Sequence, residues 1–159
     1  MGEEEISVIV NPTAAGGAVG HEWPDLRAYL KAQGLRFRDT LTEAPGHATE
    51  LALEAVRQGY PTVVAVGGDG TLNEVVNGLY NGNGSTPTTE LAIVSRGTGC
   101  DLVRTLGLRD PKRAILALTE RRTTRTIDVG EILMERGGHQ ERRLFLNAAG
   151  LGFDAEVVE

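Results

Sequence analysis

Residues 62–79, TVVAVGGDGTLNEVVNGL, constrain this chain more than any other stretch. The run Thr62, Val63, Val64, Ala65, Val66 is β-branched and apolar, the composition of a strand covered on both faces of a sheet. Gly67, Gly68, Asp69, Gly70 and Thr71 follow, and Leu72, Val75, Val76 and Leu79 then recur at helical spacing. The order is strand, glycine turn, helix. Glycines suit such a turn because they tolerate positive φ and let backbone approach a ligand closely. The helix start beyond it offers backbone N–H groups and the positive end of the helix dipole, which together favour a phosphate. An aspartate inside the turn repels a bare phosphate, so it belongs beside a metal ion or a hydroxyl. The combination points to the phosphates of a Mg-nucleotide, the plainer alternative being a turn that is glycine-rich merely to turn.

Two familiar glycine motifs are excluded. No Gly-Lys-Ser/Thr is present, so this is not a P-loop. Asn73 stands where the dinucleotide fingerprint needs its third glycine. A chain of 159 residues with 40% hydrophobic content can bury a core of its own. The net charge of -6 argues against nucleic acid as a partner, and the single cysteine, Cys100, excludes an intrachain disulfide and fits a reducing, cytoplasmic compartment. No apolar run reaches the length of a membrane span, and the acidic start is no signal peptide.

Taken in order, residues 6–10 read as a first strand ending at Asn11-Pro12, followed by a small, glycine-rich segment to Gly20 that either wraps a ligand or simply connects. Pro24 is expected in the first turn of a helix carrying Leu26 and Leu30 and stopped at Gly34. Residues 35–41 read as a second strand. Ala48, Leu51, Ala52, Ala55 and Val56 share the face of a second helix that stops at Gly59. Residues 91–94 form a fourth strand running into a second glycine turn, Ser95 to Asp101. Strands and helices alternating at this spacing predict an α/β domain, three-layered and Rossmann-like, with a mostly parallel sheet. Both glycine turns then lie at the carboxyl rim where such sheets bind ligands. Asp110-Pro111 opens a further helix to about Thr119. From Arg125 the pattern becomes extended: Ile127 and Val129 alternate, then Ile132 and Met134 continue in opposite phase, which suggests a bulge beside Gly130. A hairpin turn at residues 136–139 and a returning strand over 144–148 complete the reading. Residues 1–124 are therefore expected to form the α/β domain, and 125–159 the first strands of an all-β domain whose remainder is missing. A lone hairpin needs a partner for its apolar face: the α/β domain, a neighbouring chain in a homodimer, or the missing strands.

The segment GGDGTLNEV resembles the nucleotide-binding signature of the diacylglycerol kinase catalytic-domain superfamily, which spans bacterial lipid kinases, sphingosine and ceramide kinases and, more distantly, NAD kinases and phosphofructokinases. The similarity runs nearly end to end. Asn11-Pro12 and the glycine-rich segment match the family's first nucleotide-contact segment. Thr42 stands at its threonine position after the second strand, and residues 68–74 match its phosphate loop. Gly97, Thr98, Gly99 and Asp101 match its second glycine segment, although Arg96 and Cys100 replace a usual leucine and asparagine. Residues 127–130 and 145–155 resemble its crossover into a β-sandwich and favour the lipid-kinase branch.

The resemblance implies a kinase that transfers the γ-phosphoryl of Mg-ATP to a lipid hydroxyl at a membrane surface, with ATP and Mg2+ required. Asp69 is implied to organise Mg-ATP or, as in the sphingosine-kinase branch, to take the substrate proton. Asn11, Thr42, Gly67, Gly68, Gly70, Thr71, Asn73, Glu74, Gly97, Thr98 and Gly99 are the implied nucleotide contacts, and Asp101 is a candidate for substrate or Mg2+. Each also has a plainer reading: Asp69 as a turn former, Thr71 and Thr98 as helix caps, Glu74 as a partner of the helix dipole, Asp101 as the cap of the next helix. The family's catalytic base and regulatory Mg site belong to its second domain, so the chain resembles an ATP-binding domain whose isolated form is inactive. The alternatives are an NAD-kinase-like enzyme and a nucleotide-binding module without catalysis. Residues 104–125 carry seven cations against Asp110 and Glu120, a local +5, which is either a solvated face or a contact for anionic headgroups of a peripherally bound membrane. His21, His47 and His139 lack metal-ligand spacing, and Trp23 reads as helix-face packing rather than a base-stacking platform.

Overall fold

The computed structural model describes residues 5–81, 87–95, 101–108, 110–120 and 124–146, apart from the side chains of Asn81, Asp101 and Arg136. Four strands, β1 (Ile6–Val10), β2 (Phe37–Leu41), β3 (Thr62–Gly67) and β4 (Glu90–Ser95), form one parallel sheet in the order β2-β1-β3-β4. Three helices link them in turn: α1 (Ala18–Ala32), α2 (His47–Arg57) and α3 (Asp69–Asn81). Short helices α4 (Asp101–Leu106) and α5 (Pro111–Thr119) follow β4. A hairpin of β5 (Gly130–Arg136) and β6 (His139–Phe145) closes the described chain.

The sheet has two apolar faces because alternate residues of β1 and β3 point opposite ways. Val8, Val10, Val64 and Val66 pack with Val19, Trp23, Leu26 and Leu30 of α1 and with Ala114 and Ile115 of α5. Ile9, Val63 and Ala65 face the other way, onto α2 and α3 through Ala48, Ala52, Ala55, Leu72, Val75, Val76 and Leu79. Right-handed crossovers require this division: the chain moves one way from β1 to β2 and the other way from β2 to β4. The result is helix, sheet, helix in three layers. At about 1.5–3 kcal/mol for each fully buried Val or Leu, these two faces dominate stability.

Edge strand β2 is polar, and Asp39 at its centre ties it to α1. The Asp39 carboxylate, 14% exposed, accepts from Arg27 Nε at 2.8 Å and Trp23 Nε1 at 3.2 Å. The Arg27 hydrogen bond holds Asp39 below the usual carboxylate range, with Trp23 assisting and burial opposing. Trp23 is therefore helix-face packing with its one donor satisfied.

Several sequence expectations need correction. α1 starts at Ala18, so Pro24 lies inside the helix rather than in its first turn. The glycine-rich segment supplies that earlier start. Ala14–Gly17 is a 3-10 turn with left-handed Ala15 and Gly16, and left-handed Gly17 precedes α1 directly. β5 begins at Gly130, not Arg125, and pairs with β6 in unbroken register from Gly130↔Phe145 to Arg136↔His139. The apparent phase slip is thus the boundary of a strand, not a bulge. The returning strand, β6, begins at His139 rather than at residue 144, because Gly137 (φ 60) and Gly138 (φ 81) make a two-residue turn that restarts pairing at once; residues 147 and 148 lie outside the described residues. Asp110 caps α5 as expected, accepting from Lys112 N at 2.9 Å.

Candidate functional site

The order β2-β1-β3-β4 reverses direction between β1 and β3, and in doubly wound sheets ligands bind outside the carboxyl ends of the strands at that point. Asn11 leaves β1 there, and Gly67 to Thr71 leave β3 beside it. Asn11 N donates to Val66 O at 2.9 Å, extending the strand pairing by one residue. Its Nδ2 donates to Thr71 Oγ1 at 2.9 Å, which fastens the loop after β1 to the first turn of α3. Its Oδ1 accepts from Thr13 N at 3.0 Å and Thr13 Oγ1 at 2.8 Å. Thr42, one strand further along, donates its N–H to Val10 O at 2.8 Å and so belongs to the same rim.

Asp69 is the first residue of α3 and is half-buried, while Gly70 and Asn73 are exposed. Leu72 N donates to Gly68 O at 3.1 Å. The N–H groups of Gly70 and Thr71 precede that bond, in the first helical turn, where backbone donors lack an intrahelical acceptor and attract anions. Thr71 is only 4% exposed. A Cβ added at Gly67 would sit 2.5 Å from Thr71 Oγ1, so glycine there makes room for the threonine. This corrects the reason for the glycines: Gly67, Gly68 and Gly70 all have ordinary φ, and among the described residues nothing beyond the adjoining backbone lies within 4 Å of a Cβ added at Gly68 or Gly70. Gly68 and Gly70 keep a surface open; they do not relieve strain.

Glu74 is committed to the neighbouring helix. Its Oε1 accepts from Gly46 N at 2.9 Å and its Oε2 from Ala48 N at 3.2 Å. α2 has no side-chain cap from its own start, and the Glu74 carboxylate serves instead. Thr49 Oγ1 also donates to the Glu74 carbonyl, at 3.0 Å. The structure therefore brings Asn11, Gly67, Gly68, Asp69, Gly70, Thr71 and Asn73 together on one rim, with Thr42 beside them. Gly97, Thr98 and Gly99 lie outside the described residues, as do Arg96, Cys100 and residues 147–155. Asp101 opens α4.

Sequence reasoning passed over Asn77. It is 8% exposed and binds both backbone groups of Leu144: Leu144 N donates to its Oδ1 at 2.9 Å, and its Nδ2 donates to Leu144 O at 3.0 Å. The available signal was an asparagine set among Val75, Val76 and Leu79 on a buried helix face. A polar side chain there needs partners.

Among the described residues, no group of three His, Cys, Asp or Glu side chains is placed to hold a metal, and no helix is long and apolar enough to cross a membrane. A single half-buried Asp69 in the first turn of a helix still fits Mg2+, which keeps several waters and binds through one or two carboxylates plus substrate phosphates.

Comparison with known proteins bears on the family and the fold. The model of the diacylglycerol kinase catalytic domain matches residues 5–132. A probable lipid kinase YegS-like from Pseudomonas aeruginosa is 34% identical over 161 residues, covering 99% of this chain and 47% of that protein. A diacylglycerol kinase from Staphylococcus saprophyticus is 34% identical over 91% of this chain and 44% of its own length. A diacylglycerol kinase structure from Bacillus anthracis superposes with a TM-score of 0.65 at 28% identity, over 91% of this chain and 48% of the other. The chain spans about half the length of these relatives. A family model matched across most of the sequence, carried on a parallel sheet with its signature at the reversal point, shows that the chain belongs to the diacylglycerol kinase catalytic domain family.

Proposed function

We propose that this chain is the ATP-binding domain of a lipid kinase that transfers the γ-phosphoryl of Mg-ATP to a lipid hydroxyl at a membrane surface. The observation that carries the reading is the rim itself: Asp69, the N-terminus of α3, Thr71 and Asn11 meet at the carboxyl ends of β1 and β3. The first N–H groups of α3 would bind phosphate oxygens, and Asn11 would hold Thr71 and the helix start still against β1. The Asp69 carboxylate would orient the metal-bound triphosphate. Mg2+, when bound with ATP, supplies charge neutralisation. In the reaction, the lipid oxygen forms a bond to the γ-phosphorus as the bond to the β,γ-bridging oxygen breaks and ADP departs. Catalysis of this kind rests on positioning and charge stabilisation.

The hydroxyl proton needs a base, and the length of the relatives leaves room for one beyond residue 159. On this division, residues 1–124 bind the nucleotide, and 125–159 begin a second, all-β domain. The chain alone is expected to bind Mg-ATP in calorimetry without phosphorylating diacylglycerol in vesicles, and the protein extended to the relatives' length is expected to do both. In the extended protein Asp69→Asn should lower turnover a hundredfold or more, the scale on which charge-stabilising or proton-moving groups act. Phosphorylation of NAD but of no lipid would instead assign the protein to the NAD-kinase-like reading.

A further inference from the structure

Asn77 lies two turns into α3, away from the rim, and nothing in the function proposed above requires it. Its carboxamide nevertheless connects two parts of the molecule. On one side it meets Leu144 of β6, accepting from the N–H and donating to the C=O as a neighbouring strand would. On the other side its Nδ2 donates to the backbone carbonyl of Asn73 at 2.9 Å and to Asn73 Oδ1 at 2.7 Å. Two N–H bonds serve three acceptors, so one is shared.

The orientation of both carboxamides follows from a group that cannot be reversed. The Leu144 N–H is a donor and its carbonyl an acceptor, so Asn77 must face them with Oδ1 and Nδ2 respectively. The Asn77 Nδ2 lies 2.7 Å from the Asn73 carboxamide, where a second NH2 would face it donor to donor, so Oδ1 of Asn73 is the group that points inward. The group of Asn73 left for a ligand is its Nδ2, a pair of N–H donors one turn from Asp69 on an exposed part of the helix. Donors suit phosphate oxygens; the reversed amide would present an acceptor and repel them.

We propose that Asn77 is a positioning residue of the nucleotide site, which sets the Asn73 carboxamide donor-outward and makes that setting depend on docking of the β5–β6 hairpin against α3. The inference rests on the nucleotide reading given above. It implies that the second half of the protein, which the hairpin begins, reports its presence to the phosphate rim through three residues: Leu144, Asn77 and Asn73.

The test uses residues 1–159, labelled with 15N at asparagine, with Mg-ATP affinity measured by calorimetry. Asn77→Asp keeps an acceptor for Leu144 N–H but loses the donor to Asn73, whereas Asn77→Ala loses both. Either is expected to move the Asn73 side-chain NH2 resonances and weaken Mg-ATP about tenfold, equivalent to about 1.4 kcal/mol. In an Asn73→Ala background the same substitutions should change affinity less than about twofold, because their route to the ligand is gone. Val76→Ala, buried on the same helix, should lower stability and leave affinity unchanged, which separates positioning from general loosening. Equal losses with and without Asn73, or Asn73 resonances unmoved by Asn77→Asp, overturn the positioning role alone. Absence of any Mg-ATP binding by the unaltered chain overturns the proposed function and this role with it.

Discussion

Gly67 and Gly68 are adjacent and identical in type, yet their surroundings give them opposite sensitivities. A methyl group at Gly67 meets Thr71 Oγ1 at 2.5 Å and Thr71 Cβ at 2.8 Å, and Thr71 is pinned by Asn11. Gly67→Ala should therefore cost about 1–3 kcal/mol, the scale of overpacking a filled site. A methyl group at Gly68 meets nothing within 4 Å among the described residues beyond the adjoining backbone, and its φ is ordinary. Gly68→Ala should leave stability unchanged or raise it by about 0.5 kcal/mol, since alanine narrows the unfolded ensemble. Its effect should appear in Mg-ATP affinity, where the methyl group occupies space that a phosphate needs. Urea denaturation and calorimetry on both variants check the pair, and a Gly68→Ala protein that loses stability but not affinity contradicts the assignment. The sequence marked both glycines as loop residues. It did not distinguish them, because the difference lies in the position of Thr71.

Among the elements, α3 does the most. Its start forms the rim, Glu74 caps α2, and Asn77 docks the hairpin. Close approach to α2 makes this possible, and Gly78 permits that approach: an added Cβ would overlap the Thr49 carbonyl and lie 2.7 Å from Ala52 Cβ. Two effects compete in Gly78→Ala. Helix propensity favours alanine by about 1 kcal/mol. Overpacking against a backbone carbonyl, which cannot swing aside as a side chain can, costs about 1–3 kcal/mol. The second should win, giving a net loss in thermal denaturation, together with weaker hydrogen-exchange protection of Gly46 and Ala48 as the Glu74 cap is pulled away. A more stable Gly78→Ala protein would show that the two helices separate freely. The helical spacing of Leu72, Val75, Val76 and Leu79 made α3 legible in the sequence, but its partners were not, since Glu74 and Asn77 reach residues 26 and 67 positions distant.

Over the whole molecule, the hairpin is part of the α/β body on one side and open on the other. Leu144 is 4% exposed within the core beneath α2 and α3, whereas Leu133 on β5 is 68% exposed. Residues 124–128, ahead of the hairpin, are exposed and form no strand. A specific protease site placed between Thr124 and Asp128 should therefore be cut without releasing the hairpin, which co-elutes with the α/β body until Asn77→Ala is introduced. Release of the intact hairpin on cutting would place its anchorage in the chain connection instead of α3. The sequence alone determined the parallel α/β class and the positions of β1, β3, α2, α3 and α5, because these depend on local periodicity, capping and turn chemistry. It also determined the candidate rim, because a strand, a glycine turn and an acidic helix start are contiguous in the chain. Only the tertiary structure decided the start of α1 ahead of Pro24, the exact register of the hairpin, and the fastening of Asn11 to Thr71, Glu74 to α2 and Asn77 to Leu144. Those depend on which donors and acceptors burial brings within about 3 Å of one another, and that distance is set by the packing of the sheet and its helices rather than by separation along the chain.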